Sequence, residues 1–205
     1  MSPETYDASD PAVVDRAAAA LRAGGVILLP TDTVYGLAAL PSVPGATAQL
    51  FTLKGRGVNV PLPVLCADAD QALALADDPD EQVRAAAAEL WPGPLTLVVR
   101  RRPGLGYDLG DPADTVGVRC PDLALVQAIA GRVGPLATTS ANPHGYPTPP
   151  DATAAAAPFG TGLRLIVDGG PCANEPSTVV DTTTDPWKVL RQGALFVTAP
   201  ERRPE

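Results

Sequence analysis

The stretch GVILLPTDTVYGLAALPSVPGATAQLFTLKGRGVNVPLPVLC, residues 25–66, organises the rest of the chain. Its apolar run at 26–29 predicts a strand, which ends at Pro30. The next six residues, 31–36, combine three hydroxyl or phenol groups, one carboxylate and a glycine. This composition predicts a strand-to-helix turn whose backbone faces a ligand, with a helix following over 46–53.

Two cations follow that predicted helix, Lys54 and Arg56, with the flexible Gly55 between them. Lysine is rare in this chain, and its only other occurrence is Lys188. Two cations beside a hydroxyl-rich turn favour an anionic ligand such as a phosphate. A Lys-x-Arg pair is also common at solvated helix ends, so this motif alone leaves both interpretations open.

Length and composition predict a single domain over 1–205, with its core at about 12–194 and polar tails at both ends. No apolar run approaches the roughly 20 residues of a membrane helix. The polar, acidic start indicates no signal peptide, so we expect a cytoplasmic protein without membrane attachment. Three cysteines at 66, 120 and 172 fit reduced thiols. The single histidine, His144, excludes a multi-histidine metal site.

The net charge of −8 and the pI near 4.6 bear on possible partners. A dedicated nucleic-acid binder usually has a basic face and a high pI. We therefore expect a local pocket for a small anion and no strong direct binding of nucleic acid.

The hydropathy pattern predicts short strands and helices without strict βαβ alternation. Strands are predicted at 62–66, 95–100, 115–119, 135–139, 164–167, 177–181 and 188–191, and further helices at 12–23, 68–76, 79–90, 122–130 and 152–157. This order favours an α/β fold with a mixed sheet and helices packed on it.

Polar residues recur where the predicted strands end and in the loops that follow: Thr33, Lys54, Arg56, Thr115, Arg119, Ser140, Asn142, Ser177 and Arg191. Open α/β folds bind ligands at such ends, and four cations with several hydroxyls could hold a nucleotide triphosphate. The chain has neither a P-loop nor a dinucleotide fingerprint. These residues alone indicate an anion-binding α/β protein and leave the use of a nucleotide open.

A series of short motifs carries the interpretation further. In chain order they are PTDTVYGL, KGR followed by PLPVL, LWPGPLTLV, TVGVR, TSAN, DGGPC, STVVD and LRQG. Together they resemble the YrdC-like family of threonylcarbamoyl-AMP synthases over about 12–194. The resemblance implies a twisted mixed parallel and antiparallel sheet with flanking helices around a positively charged cavity.

The resemblance also implies an activity. The expected enzyme is a nucleotidyltransferase that joins L-threonine, bicarbonate and ATP into threonylcarbamoyl-AMP and releases pyrophosphate. Partner proteins would then transfer the threonylcarbamoyl group to an adenosine of tRNA. Mg²⁺ is expected on the phosphates of ATP. No protein metal ligand is predicted, because Asp32 is the single candidate and has no paired carboxylate.

Site residues follow from the resemblance by position. Lys54 and Arg56 are the expected catalytic cations. The residues expected to face threonine are Thr33, Leu65, Arg119, Ser140 and Ser177. Those expected to face ATP are Lys54, Arg56, Val60, Thr115, Asn142, Pro150 and Arg191.

The chain departs from the family pattern at three positions. Gly57, Val60 and Leu65 stand where proline, asparagine and histidine are common. Two other functions stay open at this stage. One is an RNA-binding module of the same fold, and the other is a paralogue that makes another carbamoyl- or acyl-adenylate.

Overall fold

The computed structural model describes residues 2–55, 57–143, 145–172 and 175–197. Within them, ten strands form one sheet in the order β1-β8-β2-β3-β7-β4-β6-β5-β9-β10. The strands are β1 (Glu4–Asp7), β2 (Ile27–Leu29), β3 (Gly36–Ala39), β4 (Val64–Leu65), β5 (Leu95–Arg100), β6 (Thr115–Arg119), β7 (Leu136–Ser140), β8 (Leu165–Asp168), β9 (Thr178–Asp181) and β10 (Lys188–Arg191). The sheet is mixed: β1 and β2 flank β8 in parallel, whereas β5 and β6 are antiparallel. This confirms the predicted α/β fold.

Six α-helices flank the sheet in the described residues. They are α1 (Val13–Arg22), α2 (Ala46–Lys54), α3 (Ala69–Leu73), α4 (Glu81–Leu90), α5 (Ala124–Val133) and α6 (Ala152–Ala156). The helices α3, α4 and α6 begin at aspartate caps, whose carboxylates accept a backbone N–H of the first turn. The helix predicted at 79–90 begins slightly later, as α4 with Asp80 as its cap.

The helices divide between two hydrophobic cores, one on each face of the sheet. The larger core contains buried residues of α2, α3, α4 and α6, such as Leu50 and Val83. The smaller core contains buried residues of α1 and α5, such as Leu21 and Ile129, and none from β5, β6, β9 or β10. Strand alternation places Val116 and Val118 of β6 in the larger core. On the other face of the sheet, the smaller core therefore does not cover β5, β6, β9 and β10.

Two strands were missed in the sequence. The segment around Glu4–Asp7, interpreted as a polar tail, is the edge strand β1 and pairs in parallel with β8. The turn at 30–35 does not lead into a helix. It joins β2 to β3, which pair antiparallel with Leu29 opposite Gly36, and α2 begins only at Ala46. The predicted strand-to-helix turn was wrong, and the segment is the loop of a hairpin.

Candidate functional site

The loop between β2 and β3 is organised by Thr31. Its hydroxyl oxygen accepts hydrogen bonds from the backbone N–H groups of Thr33 and Val34, both at 3.1 Å. It also donates to the Val34 carbonyl at 2.7 Å. These bonds use the loop's own polar backbone groups and set the direction of its side chains. The side chains of Asp32 and Thr33 then meet Arg119, the last residue of β6.

Arg119 is the buried cation of this site, with 5% of its surface exposed. Its guanidinium donates to Asp32 Oδ1 at 2.5 Å, to Thr33 Oγ1 at 3.0 Å and to the Gly93 carbonyl at 3.0 Å. Burial lowers the pKa of Arg119, and the Asp32 carboxylate opposes that shift. Arginine remains charged under all ordinary conditions. The structure thus brings together Thr33 and Arg119, two residues that the sequence assigned to threonine.

A second network lies across β5, β9 and β10. The hydroxyls of Thr96 and Ser177 are 2.9 Å apart, and both side chains are buried. Arg191 donates to the Ser177 carbonyl from Nε at 3.0 Å and from Nη2 at 2.8 Å, and to Ser177 Oγ at 3.1 Å. The pKa of Arg191 is lowered, first by burial and then by the positive charge of Arg119. The positive charges of the two guanidinium groups therefore oppose each other.

A β-bulge determines where Arg191 points. In the β9–β10 pair, Val189 lies opposite Val180, but the next partner of Val179 is Arg191 instead of Leu190. The extra residue turns Arg191 to the face that carries Ser177 and leaves Leu190 exposed. Bulges commonly re-aim side chains beside functional sites.

Lys54 forms a third network at the end of α2. Gly55 ends the helix in the left-handed conformation with φ of 61°, which glycine adopts without strain. The Lys54 ammonium donates to the Ser140 carbonyl at 2.6 Å, the Asn142 carbonyl at 2.5 Å and Asn142 Oδ1 at 2.6 Å. It also lies 3.3 Å from Ser140 Oγ. Lys54 is 6% exposed, so it is not the solvated helix end that its motif equally allowed.

Gly117 leaves space on the sheet surface between two predicted ligand contacts. Thr115, Gly117 and Arg119 alternate along β6 and share one face. Thr115 and Arg119 are about 13 Å apart along the strand. A Cβ atom on Gly117 would lie 3.4 Å from both Pro63 and Thr96. Because Gly117 has no side chain, no side-chain atoms rise from the sheet between Thr115 and Arg119.

The other predicted site residues lie in varied surroundings. Leu65 is 5% exposed and packs in the smaller core, Val60 is 41% exposed, and Pro150 precedes α6 on the surface. The Pro150 carbonyl accepts the Cys172 N–H at 2.9 Å. Their roles toward threonine or ATP remain predictions. Arg56 and His144 lie outside the described residues.

The sequence missed three residues that build the site. Asp32 was considered only as a metal candidate, but it is the ion-pair partner of Arg119. Thr96 was given no role, although its hydroxyl contacts Ser177. Tyr35 is fully buried, and its hydroxyl donates to the Gly170 carbonyl at 2.7 Å and accepts the Gly169 N–H at 3.0 Å. Tyr35 thereby fastens the 30–35 loop to the DGG turn, which explains why both motifs occur together.

Neither a metal cluster nor a membrane-spanning helix occurs in the described part of the chain. It contains no group of three or more histidine, cysteine, aspartate or glutamate residues able to hold a metal ion. Among its helices, none combines the length and hydrophobicity that a bilayer crossing requires.

Comparison with known proteins gives a consistent result. Residues 19–193 match the family model Sua5_yciO_yrdC, described as "Telomere recombination". A Mycobacterium tuberculosis protein, named provisionally as a threonylcarbamoyl-AMP synthase, is 37% identical over 197 residues, covering 94% of this chain and 91% of that protein. Threonylcarbamoyl-AMP synthase of Pyrococcus abyssi is 37% identical over 182 residues, covering 87% of this chain and 53% of the relative.

Solved structures resemble the fold closely. The crystal structure of P. abyssi Sua5 complexed with L-threonine superposes with a TM-score of 0.88 at 32% identity, covering 95% of this chain and 58% of that one. The structure of E. coli YciO has a TM-score of 0.85, covering 95% of this chain and 97% of that one. At 24% identity it supports the fold alone.

Proposed function

The chain belongs to the Sua5, YciO and YrdC family, and from this we propose that it is an L-threonylcarbamoyladenylate synthase. It uses L-threonine, bicarbonate and ATP and forms threonylcarbamoyl-AMP and pyrophosphate, as a nucleotidyltransferase. The product serves threonylcarbamoyladenosine modification of tRNA in the cytoplasm, through separate transfer proteins. The observation that carries this proposal is the likeness to a relative solved with L-threonine, combined with the buried Arg119 beside Thr33.

Arg119 is the proposed receptor for the threonine carboxylate. A guanidinium has five N–H donors, and the bonds described above use three of them. Its planar arrangement suits two parallel hydrogen bonds to a carboxylate. The bonds to Gly93 and Thr33 hold the group in place before the substrate arrives, which lowers the entropy cost of binding.

The two serines are proposed to donate hydrogen bonds to the substrate. Lysine and arginine are donors only, so a hydroxyl that contacts them accepts and keeps its own hydrogen for another partner. Ser177 Oγ accepts from Arg191 at 3.1 Å, and Ser140 Oγ lies 3.3 Å from the Lys54 ammonium. The Ser140 hydroxyl can therefore donate to carboxylate or carbamate oxygens, and the Ser177 hydroxyl can do so when Thr96 is the donor of the bond between them. The same contacts place each serine beside a cation predicted to face ATP.

The chemistry requires two anions to meet. The threonine ammonium group first loses a proton, and the resulting amine displaces water from bicarbonate and forms a carbamate. A carbamate oxygen then attacks the α-phosphorus of ATP, and pyrophosphate leaves. Fixed positive charges offset the repulsion between carbamate and phosphate and stabilise the charge that develops at phosphorus. Arg119 lies beside Thr33, Arg191 lies beside Ser177, and Lys54 stands at the loop of Ser140 and Asn142.

We propose that Mg²⁺ enters with ATP, bound by the phosphate oxygens and by water molecules. The described residues do not form a carboxylate cage for it, because Asp32 is engaged by Arg119. Magnesium commonly keeps several waters and binds through substrate phosphates with few protein ligands.

The decisive assay is pyrophosphate release from ATP, with threonine and bicarbonate each omitted in turn. Release that needs all three substrates supports the proposal. Release with another amino acid in place of threonine would favour the paralogue that makes a different adenylate. Tight tRNA binding at physiological salt without pyrophosphate release would favour the RNA-binding module, although the charge of −8 argues against it.

A further inference from the structure

Asp32 has an unused hydrogen-bonding capacity beside the proposed threonine site. Among the described residues, its Oδ2 is the one buried side-chain nitrogen or oxygen atom without a hydrogen-bond partner. The other oxygen, Oδ1, accepts one bond from Arg119 at 2.5 Å. An ionised carboxylate can accept about four hydrogen bonds. Leaving a buried carboxylate oxygen without a donor is costly, so such an atom calls for a partner.

The surrounding groups are already engaged elsewhere. The backbone N–H groups of Thr33 and Val34, which could have served an aspartate in this loop, both donate to Thr31 Oγ1. The other described bonds of Arg119 go to Thr33 Oγ1 and to the Gly93 carbonyl. The missing donor must therefore come from outside these groups. The Asp32 side chain is 12% exposed, so part of it reaches the surface of the site.

We propose that Asp32 binds the α-ammonium group of the amino-acid substrate. This inference rests on the proposed function, since it takes threonine as the ligand. An amino acid carries a carboxylate and an ammonium group on the same carbon atom. The Arg119–Asp32 pair presents the two opposite charges side by side, with 2.5 Å between their nearest atoms. Arg119 receives the carboxylate and Asp32 receives the ammonium, so the pair recognises the whole zwitterion.

The carboxylate can present a free oxygen to the ligand without a backbone change. The terminal torsion of aspartate is broad, so a partial rotation can turn the unpartnered oxygen toward the site. Arg119 keeps a bond to one oxygen while the ammonium takes the other. Asp32 is thus a specificity-determining residue that selects amino acids over acids that lack the amino group.

The test compares two ligands that differ only in that group, L-threonine and (R)-3-hydroxybutyrate. Isothermal titration calorimetry without ATP measures both on the wild type, on Asp32→Asn and on a control, Asp181→Asn. Asp181 is also a partly buried loop-forming aspartate, but its Oδ1 bonds the backbone and side chain of Thr183 at the far end of β9. The control should bind both ligands as the wild type does.

We expect the wild type to bind L-threonine at least about tenfold more tightly than (R)-3-hydroxybutyrate, because a hydrogen bond between charged groups is lost with the amine. Asp32→Asn should weaken threonine binding about tenfold or more. It should leave (R)-3-hydroxybutyrate unchanged or bound more tightly, since Arg119 is no longer neutralised. The ratio of the two dissociation constants then falls toward one.

Two results would overturn the inference. Equal weakening of both ligands in Asp32→Asn would mean that Asp32 only positions Arg119. Equal affinity of the wild type for both ligands would mean that the ammonium is not recognised, and this comparison needs no folded variant. Neither result affects the proposed function. A wild type that fails to bind threonine at all would instead contradict the proposed function itself.

Discussion

Replacing Lys54 by methionine tests the most connected cation of the site. Methionine keeps the aliphatic length and removes the charge. The change removes a charged donor from three oxygens: the carbonyls of Ser140 and Asn142 and the Asn142 amide oxygen. The Ser140 carbonyl keeps a bond from the Asn142 N–H, and the Asn142 amide oxygen keeps one from the Thr148 hydroxyl. A hydrogen bond to a charged group contributes about 1.5–3 kcal/mol, and an acceptor left unsatisfied costs about 1–3 kcal/mol. Relief from burying the ammonium offsets part of that sum, so we expect a net loss of about 3 kcal/mol in the free energy of unfolding.

A loss of that size is measurable in two ways. It corresponds to a fall in Tm of about 6–12 °C for a protein of this length. Pyrophosphate release by the folded variant should fall about tenfold or more in kcat/KM, because the loop that carries Ser140 and Asn142 loses its anchor. Urea denaturation gives the free energy of unfolding at 25 °C, and the activity assay is run well below the midpoint.

Lys188 provides a matched control, since it is the chain's one other lysine and lies exposed on β10. Lys188→Met should change the free energy of unfolding by no more than about 0.5 kcal/mol and leave the activity intact. Equal effects of the two substitutions would refute the reasoning. So would a Lys54→Met protein with wild-type stability and activity.

Three further predictions concern other parts of the site. Tyr35→Phe should lower stability by about 1–3 kcal/mol at pH 8, because it leaves the Gly170 carbonyl and the Gly169 N–H unpaired. Burial raises the pKa of Tyr35 to about 12, so the folded protein retains a proton that the unfolded chain releases above pH 10. The stability that this shift contributes is fully present below about pH 10 and is lost as the pH rises toward 12. The difference in urea midpoint between the wild type and Tyr35→Phe should therefore be smaller at pH 11 than at pH 8. A difference that stays constant would contradict this. Ser177→Ala should raise KM for threonine about tenfold and lower stability by about 1–3 kcal/mol, because the Arg191 bonds to the backbone carbonyl persist but the buried Thr96 hydroxyl loses its partner; an unchanged KM would remove Ser177 from the threonine site. Serine should support slow pyrophosphate release and valine almost none, since a missing methyl costs about 1–3 kcal/mol and an unpaired buried polar group discriminates more strongly. Leu65→Ala should lower the threonine-to-serine ratio, and an unchanged ratio would show that Leu65 does not line the methyl site.

The strands that carried strong local patterns were predictable. Residues 95–100 form an apolar run rich in aliphatic side chains and residues 115–119 alternate, and the two predictions match β5 and β6. The strand β3 reads GLAA, which has no β-branched residue and no alternation, so the local sequence gives no strand signal. The polar β1 exists because β8 offers it a parallel edge. Its formation depends on a partner about 160 residues away in sequence, which no local pattern reveals.

Residues for the candidate site could be selected from the sequence, but the contacts between them could not. Motif resemblance selected Thr33, Arg119 and Ser177, and the structure places each of them in a polar network. It could not show that Asp32 pairs with Arg119, because the two residues are 87 positions apart. It also could not show that Lys54 is buried, since its partners at Ser140 and Asn142 come from another strand end.

The most direct test of the account follows the atoms of all three substrates into one product. The protein is incubated with ATP, L-threonine and ¹³C-bicarbonate, and the nucleotides are analysed by mass spectrometry. The account predicts one adenylate that contains threonine and a single ¹³C atom, formed together with pyrophosphate. An adenylate that lacks either threonine or the labelled carbon, or no adenylate from a folded protein, would contradict the central claim.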